Sequence, residues 1–86
     1  MRIIYTKHSE GKFAQLERLG WKITKRKVEN IINKPQWKGI SRFGQETALS
    51  LVDKTHILRV IFNKDGDIIK VITFHIARRG KYESTL

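Results

Sequence analysis

Apolar positions along the chain follow a helical spacing in its first third and a strand-like spacing after Pro35. Ahead of both, Ile3, Ile4 and Tyr5 form a short apolar run that predicts an opening strand over Arg2 to Thr6. Ser9 is a candidate cap for a helix carrying Phe13, Leu16 and Leu19 at three-residue spacing and stopping at Gly20, a favoured terminator. Thr24 offers a second cap, and Val28, Ile31 and Ile32 supply the next apolar stripe. That helix ends at Lys34-Pro35, because the residue before proline avoids the helical region. The two form a helical hairpin whose outer face is basic, with Lys22, Lys25, Arg26 and Lys27 clustered at the joint. Such a cluster is as consistent with a solvated face as with a polyanion contact.

From Gln36 on, strands are expected at Gln36 to Phe43 (interrupted at Gly39), Glu46 to Val52, His56 to Phe62 and Ile68 to Ile76. Gly44-Gln45 and Asp53-Lys54 supply two tight connections. Lys64-Asp65-Gly66-Asp67 is the clearest hairpin signal, since Asp-Gly readily takes the positive backbone angles of a type I′ turn. The order strand, two helices, antiparallel meander predicts one α+β domain spanning residues 1–86, β-α-α-β-β-β with a further strand, the helices packed on a twisted antiparallel sheet. In the last hairpin, Leu58, Val60 and Phe62 fall on one face and Ile57 and Ile61 on the other, so its strands should be central and partly covered on both faces.

Charge narrows the function. Eighteen Lys and Arg against eight Asp and Glu give a formal charge of +10, an excess that needs either a polyanionic partner or tolerance of self-repulsion, with nucleic acid the default partner and an anionic membrane its rival. No apolar run approaches the roughly 20 residues of a membrane span, and the strand-like N-terminus differs from a signal peptide, so a membrane is not the expected partner and a cytoplasmic location is. The chain has no cysteine, which removes disulfides, thiolate catalysis and Cys-based zinc sites together.

Two residues interrupt the apolar strands. Arg59 stands between Leu58 and Val60, where an unpartnered guanidinium is costly, so it should meet solvent, a carboxylate or a ligand phosphate. His75 closes the final strand just before Arg78, Arg79, Lys81 and Tyr82, and suits a sheet-edge role as well as a catalytic one. A two-residue Asp65-Gly66 loop sets Arg59 opposite Ile72 and His75 opposite His56, with Arg59 and His75 on different faces; a longer loop or a bulge changes this. In that register His56 and His75 form a pair fit for proton transfer, and a poor metal site for want of a carboxylate.

Leu58-Arg59-Val60-Ile61-Phe62, an acidic turn, a strand ending Thr73-Phe74-His75, and then Arg78-Arg79 and Tyr82 resemble the C-terminal half of RelE/ParE-superfamily toxins. His8, just after the first strand, resembles small BrnT-like or uncharacterised members of that superfamily. The resemblance implies a toxin that cleaves RNA, on the ribosome in RelE itself, held inactive by a cognate antitoxin protein. It implies attack of a 2′-hydroxyl on the adjacent phosphate, with no metal or cofactor required. Carried over, Arg59 and Arg79 would clamp the phosphate, with Arg78 the alternative to Arg79, and Tyr82 would stack on a base or assist proton transfer. His75 and His8 would supply base and acid. Lys38 and Arg42 are the nearest counterparts of the Lys-x-Lys pair that RelE-type enzymes carry on the second strand of the meander. Independently of the resemblance, Arg78, Arg79 and Lys81 suit a phosphate-tracking strip as well as a solvated tail, and Lys25 and Arg26 are further candidate nucleic-acid contacts. The superfamily also holds non-nucleases that poison gyrase, so a non-catalytic binder of nucleic acid or of gyrase is the alternative. Trp21 and Trp37 could stack on unpaired bases, although core or rim packing accounts for both.

Overall fold

The computed structural model describes residues 2–80, so Lys81 and Tyr82 lie outside the described residues. The elements run β1 (Arg2–Tyr5), α1 (Lys7–Arg18), α2 (Lys25–Asn33), β2 (Trp37–Ile40), β3 (Glu46–Leu51), β4 (His56–Asp65) and β5 (Ile68–Arg78). This is an α+β fold with one five-stranded sheet in the order β1-β5-β4-β3-β2. The sheet is mixed rather than wholly antiparallel: β2 to β5 form the expected meander, while β1 pairs with β5 in parallel.

Thr6, not Ser9, caps α1. The Thr6 hydroxyl oxygen accepts the Ser9 N–H at 3.1 Å and donates to the Ile72 carbonyl at 3.0 Å, while Ser9 sits buried in the first turn. The helix closes with bonds from Gly20 N–H to Glu17 O and from Trp21 N–H to Leu16 O, which need a left-handed residue at Gly20 (φ 93°). Leu16 is buried, but Leu19 falls beyond the last helical residue and is 70% exposed. Thr24 caps α2 as expected, accepting the Lys27 N–H at 3.1 Å, and Val28, Ile31 and Ile32 are buried.

Both helices lie on one face of the sheet, α1 over β5 and α2 over β3 and β4. Beneath them Leu58, Val60, Phe62, Val71 and Phe74 form the core with Leu16, Val28 and Ile31. β2 is shorter than its apolar pattern suggests. Ser41 turns the chain, its side-chain oxygen accepting from Phe43 and Gln45 N–H, which leaves Arg42 and Phe43 in the loop.

The last hairpin corrects the expected register. Asp65 pairs with Ile68, so the two loop residues are Gly66 and Asp67; Gly66 alone takes positive φ (59°), the φ signs of a type II′ turn rather than I′. Moving the loop by one residue shifts the register by two and leaves each side chain on its face. A bulge then intervenes, with Ile61 opposite Thr73 and Phe62 opposite Val71. The extra residue, Ile72, advances the register by one and sets Arg59 opposite His75 and His56 opposite Arg78.

Candidate functional site

The bulge determines what faces what. On the helix-free face, Leu49 of β3, Arg59 of β4 and His75 of β5 stand in one cross-strand row. Directly paired residues of antiparallel strands have Cα atoms about 4.5–5.5 Å apart, so the guanidinium and imidazole stems are immediate neighbours. Both side chains are half-buried, beside the buried Ile57 and Ile61, and each has an interaction partner in the free protein. The expected His56–His75 pair is absent, and with it the basis for a two-histidine proton-transfer or metal site. Among the described residues no three His, Asp or Glu side chains converge on a metal-holding position.

His8 joins the same region from another element. β1 covers only Ile68 to Val71, so among the described residues the later part of β5 is an open edge where α1 begins. There His8 Nε2 lies 3.1 Å from the Thr73 hydroxyl oxygen. Thr73 is two residues before His75 on the same face, so two histidines flank one threonine at this edge. Arg79 follows the end of β5, its N–H donating to the Thr55 carbonyl at 2.8 Å. It lies four residues beyond His75, about 13 Å by strand rise, and approaches the Arg59 row only by leaning back along the sheet.

The remaining basic candidates disperse. Lys38 pairs with Ala48 on the helix-covered face and lines a recess with Ile32, Asn33 and Pro35, away from Arg59. Arg42 sits in the β2–β3 loop, its guanidinium 5.0 Å above the exposed Phe43 ring. Lys25 is bonded to Glu10 at 2.9 Å and lies 5.0 Å from the Tyr5 ring, so it ties the helices together; Arg26 is exposed beside it. Tyr5 donates to Glu29 at 3.0 Å, and burial first, then this bond, pushes its phenol well above the ordinary range.

Arg78 faces the helix side opposite His56, in a groove that also involves Lys12, Leu16, Leu19, Trp21 and His75. Sequence reasoning passed over the partner of His56. Asp53 accepts from the backbone N–H of Thr55 and of His56, each at 2.8 Å, and its two carboxylate oxygens lie 3.1 and 3.2 Å from His56 Nδ1. The Thr55 bond first, then His56, holds the Asp53 carboxyl below the usual range against the opposing effect of burial. The signal was in plain view, because an aspartate that starts a tight turn bonds backbone two and three residues on, and here the third residue is histidine. No helix among the described residues is long and apolar enough to cross a membrane. No protein-family model, curated protein or solved structure matches the chain.

Proposed function

We propose that this protein is a RelE/ParE-like toxin that cleaves RNA without a metal, paired in the cell with an antitoxin protein. The observation that carries the reading is the cross-strand pairing of Arg59 with His75, with His8 brought to the same edge through Thr73. In the reaction, His75 removes the proton from a ribose 2′-hydroxyl and the freed oxygen attacks the adjacent phosphorus. Arg59 takes the charge gathering on the non-bridging oxygens. The bond from phosphorus to the 5′-oxygen breaks, and that oxygen takes a proton from His8 in its imidazolium form. The products are a 2′,3′-cyclic phosphate and a 5′-hydroxyl. Arg79 holds a neighbouring phosphate from the end of β5, and the +10 charge draws the polyanion in.

A translated messenger RNA in a cell-free system, with new 5′ ends mapped, tests this. The intact protein should cut it, and Arg59→Ala and His75→Ala should each cut about a hundredfold or more slowly. Intact RNA in the presence of folded protein would sink the nuclease reading and favour a non-catalytic binder of nucleic acid or of gyrase.

A further inference from the structure

The groove between α1 and the ends of β4 and β5 is built differently from the Arg59 row, and three features of it bear on a ligand. The His56 ring is fixed: Nδ1 faces Asp53, with the Thr55 hydroxyl oxygen 3.0 Å away, and the Trp21 indole packs edge-on at 4.9 Å. With Nδ1 committed, Nε2 is the nitrogen left to an incoming group, and among the described residues it has no hydrogen-bond partner. Two cations share the groove, since Arg78 is the direct cross-strand partner of His56 and Lys12 enters from α1. Its apolar side is unusual for a surface: Leu19 is 70% exposed and Trp21 half-buried beside it. His75 lies at the rim, because the open edge of β5 separates this groove from the opposite face by one strand.

We propose that this groove is a second nucleotide subsite, in which Arg78, Lys12 and His56 Nε2 hold a backbone phosphate of single-stranded RNA and Leu19 with Trp21 receives its base. The proposal rests on the RNA reading above and extends it: the strand passes over the free edge of β5, with one phosphate at Arg59 and His75 and a neighbouring one here. To donate from Nε2 while Nδ1 donates to Asp53, His56 must be an imidazolium. The grip therefore uses the charged form of the ring. The charged and titratable groups facing His56 are Asp53 from the β3–β4 turn, Arg78 and His75 from β5, and Lys12 from α1.

The test uses the full chain, a 2′-O-methyl RNA trinucleotide that cannot undergo 2′-attack, and nitrogen–proton correlation spectra of the imidazoles. Binding should shift the His56 and His75 signals together. Arg78→Gln and Lys12→Gln should each lower the slope of log affinity against log salt, and the double variant by about 0.7 in all, the loss of the one single-strand phosphate contact the two share. His56→Asn, which retains a donor toward Asp53 but cannot carry the ring's charge, should weaken binding. If His75 shifts while His56 stays still and both salt slopes are unchanged, the subsite is overturned and the RNA reading stands. If the trinucleotide fails to bind a protein whose spectrum is that of a folded chain, both fall.

Discussion

The two faces of the sheet bury apolar side chains to the same depth but in different company. Under the helices, Leu58, Val60, Val71 and Phe74 are all fully buried among other apolar groups. On the far face, Leu49 and Ile57 are equally inaccessible, yet Arg59, Thr73 and His75 stand between and beside them. The covered face is where the register is decided. Val71 and Phe74 are three residues apart and both belong to the core, which unbroken alternation forbids; the extra residue Ile72 lets both point inward. The same insertion turns His75 outward opposite Arg59. Chemistry on the far face thus inherits its geometry from packing on the other.

That dependence can be broken most severely at Phe74, which is wholly buried with its ring 4.7 Å from Phe13. Phe74→Ala should cost about 3–5 kcal/mol by the cavity it leaves, a large share of the roughly 5–10 kcal/mol expected for a small domain. Urea unfolding measures it, and a loss under 1 kcal/mol would mean the core does not set the register. Arg59→Leu probes the opposite face. An arginine kept for a ligand should be replaceable at about 1 kcal/mol or less, or even with gain, while RNA cleavage falls about a hundredfold. A structural ion pair gives the reverse pattern, a loss of several kcal/mol with any activity change following from unfolding.

Much of this fold can be read in the sequence. Thr24, Pro35, Gly20 and the apolar runs specify where elements start and stop through local rules of capping and backbone restriction, which act within a few residues. The pairing of β1 with β5 spans most of the chain and has no local signature, so the sheet reads as antiparallel until the structure shows otherwise. The bulge left a trace that alternation alone misreads: Ile69 and Val71 keep one phase, and Phe74 and Ile76 take the other, with Ile72 between them. Arg59 and His75 stood out as polar interruptions of apolar strands, but their juxtaposition depended on that one residue. Lys38 and Arg42 were drawn in by strand position, and only the observed pairing and loop separate them from Arg59.

Smaller effects sharpen the link between the layers. Thr6 both caps α1 and donates to the bulged Ile72, so Thr6→Ala should cost about 1–2 kcal/mol and slow cleavage by loosening His8 in the first turn. Full activity in a destabilised Thr6→Ala protein would remove His8 from the mechanism. Tyr5→Phe deletes the bond to Glu29 and should cost about 1 kcal/mol. Because the folded phenol titrates above the unfolded one, the Tyr5 contribution is complete below a pH of about 10 and is lost as pH rises beyond it. Urea midpoints in alkali should fall for the natural protein and hold better for Tyr5→Phe.

The smallest expected change is at Asp53, in the β3–β4 turn beside His56. Asp53→Asn keeps an oxygen for the Thr55 and His56 N–H groups and removes the charge beside His56. The folded carboxyl titrates below the unfolded one, so its contribution is present above the unfolded pKa of about 3.9 and disappears as pH falls through the folded value. The natural protein should therefore exceed Asp53→Asn slightly in urea midpoint near neutrality, and the two should converge in acid. A gap that persists in acid would assign the effect to the geometry of the turn. Convergence assigns it to the carboxylate, the group that holds the His56 ring in the groove.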